Sequence, residues 1–256
     1  AQVDFVDIDS HTYNMCPQAL ERKLVEAEKI GRLPKVVVPV HLCGQPCDMA
    51  KINALSRQYG FKIIEDASHA IGAKYSATGR DGEFETVGNC RYSNITVFSF
   101  HPVKIITTGE GGMALTNDPL LANRLQRLRS HGITSDVAEM QPRPASEIWN
   151  YQQIGLGYNY RMTDIQAALG VSQMEQLQVF VAKRHHIAER YNAELAELPL
   201  QLPWQSPCSY SSYHLYPSRI RARVCRVSQR QRYDLLQAAG INVNLHYIPV
   251  YRQPYH

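Results

Sequence analysis

Two apolar runs, a continuous one from Lys35 to Val40 and a short one from Phe61 to Ile64, flank a stretch whose apolar residues fall at Met49, Ile52, Leu55 and Tyr59. Steps of three and four residues mark one face of a helix, opened after Pro46 and stopped by Gly60. A strand, a helix and a second strand in so short a span make a βαβ unit. Runs apolar on both faces read as strands covered on both sides, which predicts a largely parallel α/β sheet in the first half of the chain. Ligands of such sheets sit beyond the carboxyl ends of the strands. The positions that matter are therefore His41 and Leu42, Asp66 to His69, and the residues following Asn94 to Phe100.

The second half has a different rhythm. Thr163 and Gln166 fit a capping box, and apolar residues at Ile165, Leu169, Leu177, Val181, Ala188, Tyr191 and Leu195 predict one helix of about thirty residues, long enough to bridge two lobes. Strand-like Tyr213 to Val224, helical Ser228 to Ala239 with Gly240 as its stop, and a strand from Asn242 to His246 then form a small α+β unit. The expected division is 1–180 for a large domain and 181–256 for a smaller one. Val3 to Ile8 reads as an edge strand, and the chain closes directly after the apolar segment Val243 to Val250, so both ends are expected to be truncated.

Composition narrows the function classes. With 27 Lys and Arg against 23 Asp and Glu, the net charge of +4 calls for no polyanionic partner, and nucleic acid is not expected. Arg219, Arg221 and Arg223 alternate with apolar residues, as on a strand with one solvated face. Arg124, Arg127 and Arg129 suit a helix C-terminus. No run reaches the roughly 18 apolar residues of a membrane span, and Ala1 to Ser10 carries no signal core, which predicts a cytoplasmic protein. Cys43 and Cys47 lack the second pair of ligands a zinc site needs, so no metal is expected.

Chemistry concentrates in three segments. Asp66 directly follows a buried strand, and His69 lies three residues on; taken alone, the aspartate could simply cap a turn. In Thr96-Val97-Phe98-Ser99-Phe100-His101-Pro102-Val103-Lys104 a strand ends at a serine, and Pro102 blocks a helix before the lysine. Gly109, Gly111 and Gly112 then allow a close backbone approach or a plain hairpin turn. A partly desolvated lysine loses its proton readily and can form an imine with a carbonyl, while an aspartate can keep a pyridine nitrogen protonated. Pyridoxal phosphate needs that pair, and a hydroxyl such as that of Ser99 would hydrogen-bond its phosphate.

These segments carry a resemblance. Asp66-Ala67-Ser68-His69-Ala70-Ile71-Gly72-Ala73, Phe98 to Lys104, Glu110-Gly111-Gly112 and Gly157-Tyr158-Asn159-Tyr160-Arg161-Met162-Thr163-Asp164, in that order, resemble the DegT/StrS family of nucleotide-sugar aminotransferases; the likeness runs on through His246-Tyr247-Ile248-Pro249-Val250-Tyr251. Within the family it is greatest to the transaminases of pseudaminic acid biosynthesis, which make a UDP-linked 4-amino-4,6-dideoxy-N-acetyl-altrosamine. Val87 to Tyr92 and Tyr151 to Ile154 also point to that subfamily.

The resemblance implies a fold-type I pyridoxal-phosphate transferase of the aspartate aminotransferase type, with a mixed, mostly parallel sheet and a smaller α+β domain. It makes Lys104 the Schiff-base lysine, Asp66 the partner of the pyridinium nitrogen, His69 the neighbour of the ring hydroxyl and Ser99 a phosphate ligand. Asn159 would reach the phosphate of a neighbouring subunit, implying a homodimer with shared sites, and His246 would lie near the sugar. Many relatives carry glutamine at position 69. Family members also carry, upstream of the residues present here, a Thr/Ser-rich phosphate turn and an aromatic residue that stacks on the pyridine ring, so the chain is expected to be a fragment whose own activity is in doubt. The implied reaction moves an amino group from glutamate to the C4 ketone of a UDP-linked 4-keto-6-deoxy sugar. Two alternatives stand beside it: a sugar dehydratase, against which Lys104 argues, and a protein that binds or senses pyridoxal phosphate without turnover.

Overall fold

The computed structural model of the chain describes residues 2–78, 80, 83–142, 147, 149–221, 227–245 and 247–255. Helix α1 (Pro17–Lys29) precedes strand β1 (Val36–Val37), and α2 (Met49–Tyr59) crosses over to β2 (Lys62–Asp66). The two-residue strands β3 (Lys74–Tyr75) and β4 (Glu85–Thr86) lead to β5 (Ile95–Ser99), β6 (Gly112–Leu115) and α3 (Pro119–Arg129). After β7 (Ile133–Thr134) and β8 (Gln152–Gln153) come α4 (Asp164–Glu175) and α5 (Leu177–Glu194), then β9 (Leu200–Gln201), β10 (Ser209–Tyr210), β11 (Arg219–Ile220) and α6 (Gln229–Ala238).

The main sheet runs β1-β2-β5-β6. Its first three strands are parallel, Val37 facing Ile63 and Asp66 facing Val97, and a further bridge pairs Val40 with Asp66. β6 returns antiparallel, with Ser99 opposite Gly112. The predicted βαβ unit is present, with one adjustment: α2 opens at the Asp48 cap, whose carboxylate accepts from the Lys51 amide, and Gly60 closes it in the left-handed region at φ 80°.

Side-chain alternation gives the sheet two unlike faces. Val37, Ile63, Glu65, Thr96 and Phe98 are buried on one face, in a core completed by Leu20 and Leu24 of α1, Met49, Ile52 and Leu55 of α2, and Leu177 and Val181 of α5. On the other face Val36, Val38 and Val40 remain 45%, 47% and 41% exposed, and Asp66, Val97 and Ser99 are half-buried. The expectation of two covered faces therefore holds for one of them.

Several elements differ from the sequence expectation. Val3 to Ile8 is not a strand: among the described residues no strand pairs with it, and Ile8 alone bridges, to Met15. The long helix is divided at Gln176, which caps both α4 and α5, although the Thr163–Gln166 capping box forms as predicted. Tyr213 sits at φ 47° and Pro217 follows it, so the strand there shrinks to Arg219–Ile220; Arg219 and Arg221 are exposed, while Arg223 lies outside the described residues. Residues 242–245 form no strand, and His246 lies outside the described residues. The helix expected from Ser228 is present and stops before Gly240, and the structure adds a capping box between Ser228 and Gln231. Arg127 and Arg129 occupy the last turn of α3, where Arg127 pairs with Glu139. Among the described residues no helix is long and apolar enough to cross a membrane.

Candidate active site

The half-open face of the sheet converges on the carboxyl ends of β2 and β5. Asp66 closes β2, and its Oδ1 accepts the Ser68 amide at 3.0 Å, the turn-capping bond expected of an aspartate here. That bond leaves the second carboxylate oxygen for another partner. Both backbone groups of Asp66 are held by the segment leaving β1: its N–H donates to the Pro39 carbonyl at 2.9 Å and its carbonyl accepts the His41 N–H at 3.0 Å. Ser99 ends β5, two residues beyond the position facing Asp66, and so shares its face.

After Ser99 the chain makes a closed excursion. The Phe100 N–H donates to the Gly111 carbonyl at 2.8 Å, and the Phe100 carbonyl accepts from the Thr108 amide and the Thr107 hydroxyl, each at 3.0 Å. Ile105 and Ile106 are buried and anchor the loop directly after Lys104. Burial pushes the Lys104 ammonium below the usual lysine range, and the Asp66 carboxylate pulls it part of the way back. The Asp66 carboxylate therefore acts on Lys104, and Ser99 lies on the same sheet face as Asp66.

His69 lies at the edge of this group. Its Nδ1 accepts the Cys43 amide at 3.3 Å, its carbonyl accepts the Ser212 hydroxyl at 2.9 Å, and its ring lies 4.4 Å from that of His214. Ser212 and His214 come from a segment that nothing in the sequence marks as functional. Arg184 of α5 donates to the carbonyls of Tyr213 and His214 at 3.0 and 3.1 Å, and His185 contacts the Ser211 carbonyl at 2.7 Å. The segment 211–214 is thus held on one side by α5 and on the other by the Gly44 and His69 carbonyls, which accept from the Ser212 amide and hydroxyl.

Asn159 is placed differently. It bridges to Ser130 on an exposed ribbon, its sequence neighbours Tyr158 and Tyr160 stacking on each other, and no hydrogen bond among the described residues joins its side chain to Asp66, Ser99 or Lys104. The ribbon continues to Met162, whose methyl group lies 2.8 Å from where a Cβ on Gly111 would stand. Cys43 and Cys47 are buried, burial pushing the Cys43 thiol up to about 11, and no cluster among the described residues could hold a metal ion.

An acid and a hydroxyl at the carboxyl ends of the parallel strands β2 and β5, with a partly desolvated lysine five residues beyond β5, mark the ligand-binding end of an α/β protein. The chain belongs to the DegT/DnrJ/EryC1/StrS aminotransferase family, whose model matches residues 1–256. It is 35% identical over 253 residues to the protein MJ1066 of Methanocaldococcus jannaschii, covering 98% of this chain and 61% of that one. Its fold matches PseC of Helicobacter pylori, an aminotransferase of pseudoaminic acid biosynthesis, with a TM-score of 0.81 at 27% identity over 98% of this chain and 61% of that one. It also matches the PMP form of Spr1654 of Streptococcus pneumoniae, a protein named as a sugar aminotransferase, with a TM-score of 0.78 at 29% identity over 98% and 63% of the two chains. The fold is that of the fold-type I transferases. The chain spans about 60% of the length of these relatives.

Proposed function

We propose that the chain carries the cofactor site of a cytoplasmic, homodimeric aminotransferase that uses pyridoxal 5′-phosphate to move an amino group from glutamate to C4 of a UDP-linked 4-keto-6-deoxy-N-acetylhexosamine, in pseudaminic acid biosynthesis. The observation that carries the reading is a lysine depressed by burial, within the field of an aspartate that retains an uncommitted oxygen, on one face of the strand ends. Residues 1–180 form the cofactor-binding unit in this reading and 181–256 the smaller one. The kinship to PseC supports the sugar class, and the PLP and PMP forms of Spr1654 support the cofactor.

The residues present fit that cofactor. Lys104 would hold it through Nζ, Asp66 would face the ring nitrogen, His69 the ring oxygen, and Ser99 the phosphate, joined by Asn159 from a second copy. Pyridoxal phosphate, when bound, supplies an electron sink for the carbon that loses its proton. Lys104 does the proton work. With its ammonium destabilised by burial it releases a proton more readily than an exposed lysine, and it can take one from the donor amino acid and return one to the acceptor. Asp66 would stabilise positive charge on the ring nitrogen opposite it. The exposed position of Asn159 suits a residue that acts in a neighbouring subunit's site.

Borohydride reduction of the chain in the presence of pyridoxal phosphate, followed by peptide mapping, tests the assignment. The pyridoxyl group is expected on Lys104. Labelling spread over exposed lysines, with Lys104 unmodified, would overturn it.

A further inference from the structure

Behind Asp66, on the buried face of the same strand, lies a polar cluster that the proposed chemistry does not use. Glu65 and His41 are both fully buried, and His41 Nε2 stands 2.8 Å from Glu65 Oε2. The other carboxylate oxygen accepts from Thr96 Oγ1 at 3.1 Å and from the Ser93 hydroxyl. The proton positions follow from the donors around the ring. His41 Nδ1 accepts the Cys47 amide at 3.1 Å, and the Cys47 thiol donates to the Val40 carbonyl at 3.2 Å, so neither group can take a proton from Nδ1. Burial opposes a charge on His41 while hydrogen bonding and the nearby carboxylate favour one, with the balance upward. The amide hydrogen decides against it, because a second ring proton would meet it head-on. His41 is therefore a neutral imidazole with its hydrogen on Nε2, donating to an ionised Glu65. Burial alone would raise the Glu65 carboxyl, but the bonds from His41, Ser93 and Thr96 hold it below the ordinary value.

This cluster ties three strand ends together. Glu65 belongs to β2, Thr96 to β5, and His41 to the segment leaving β1. His41 grips β2 twice, by its ring to Glu65 and by its backbone N–H to the Asp66 carbonyl at 3.0 Å, while the Ala67 N–H donates to the Val97 carbonyl at 2.8 Å. We propose that Glu65 and His41 are positioning residues, which fix Asp66 by clamping the carboxyl end of β2 to the segment leaving β1 and to the opening residues of β5 from the buried side. The assignment rests on the reading of Asp66 as a cofactor ligand. A partner held by three charge-assisted or hydroxyl bonds within one residue of Asp66 limits how far that carboxylate can move, which matters for a group that must meet one ring atom.

The test compares Glu65→Gln with wild type in two measurements. Amide hydrogen exchange on the cofactor-free chain should quicken by about tenfold or more at His41, Asp66 and Ala67, the equivalent of one weakened charged hydrogen bond, while the amides of α5 are unchanged. Equilibrium dialysis should show weaker pyridoxal phosphate binding for Glu65→Gln in the wild-type background and no further weakening in an Asp66→Asn background, because Glu65 acts through Asp66. If Glu65→Gln does not fold, Thr96→Val removes one donor at nearly constant volume and carries the same two measurements. Exchange that quickens uniformly across the chain, or an equal loss of binding in both backgrounds, overturns the positioning role. A wild-type chain that binds no pyridoxal phosphate defeats the cofactor reading instead, and the exchange pattern still decides whether the clamp exists.

Discussion

Gly44→Ala should damage both the fold and the crevice, by an amount that can be worked from the geometry. Gly44 sits at φ 101°, beyond the left-handed helical region that some side chains tolerate, and a Cβ there would stand 2.6 Å from Ser212 Oγ and 2.9 Å from the backbone nitrogens of Tyr213 and His214. Backbone strain of this kind costs about 1–3 kcal/mol and overpacking about 1–3 kcal/mol more, offset by roughly 0.4–1 kcal/mol of lost unfolded-state entropy. The net loss is about 2–5 kcal/mol, and at roughly 2–4 °C per kcal/mol the melting temperature falls by the order of 10 °C. The clash bears on function because Ser212 donates to the His69 carbonyl at 2.9 Å and the same segment places His214 against the His69 ring. Ser212→Ala added to Gly44→Ala removes the nearest clash but neither backbone contact, so calorimetry should show only partial recovery. A single variant costing less than about 0.5 kcal/mol, or full rescue by Ser212→Ala, would refute this packing argument.

Lys104→Ala should abolish covalent cofactor capture and lower transamination by several orders of magnitude, since general acid–base catalysis alone is worth about 10²–10⁴ and the nucleophile is lost with it; steady-state kinetics checks this. Lys104→Met should stabilise the cofactor-free chain at neutral pH. A lysine depressed on folding binds fewer protons folded than unfolded, so its cost is present below the folded value and is relieved as pH rises from there toward the unfolded value of about 10.4; urea titrations against pH should show the variant's advantage shrinking over that window. Glu65 has the opposite sign. Its folded value is depressed, so it stabilises the chain above the unfolded value of about 4.3 and loses that contribution as pH falls through the folded value, where acid unfolding of wild type and Glu65→Gln should converge. Mixing Lys104→Ala with Asn159→Ala subunits should restore about a quarter of wild-type activity after random exchange, provided that each variant is inactive alone; no recovery would mean that Asn159 does not act across subunits.

The legible part of this chain is what strand and helix periodicity fixes locally. The βαβ unit, the Gly60 stop, the capping box at Thr163 and the helix from Ser228 each follow from neighbours within a few residues, and the apolar runs before them place Asp66 and Ser99 at the ends of β2 and β5. What was not legible depends on distant partners. Val3 to Ile8 has strand composition but no strand beside it, and Gln176 interrupts an apolar period that reads as continuous. His214 carries no motif, because its place against His69 is set by Arg184 binding two carbonyls and by Ser212 reaching across 143 positions of sequence. The Glu65–His41 pair was half visible: His41 was marked as following a strand, but an acid on the buried face of an apolar run announces no partner.

Visible absorbance of the chain with pyridoxal phosphate, followed as glutamate is added, tests the central claim most directly. A cofactor bound through Lys104 and served by Asp66 should give a visible band that glutamate bleaches as the amino group is transferred, and neither the band nor the bleaching should occur in Lys104→Ala. A band that persists unchanged in Lys104→Ala would contradict the assignment of Lys104, and one that forms through Lys104 but ignores glutamate would contradict transamination by this chain.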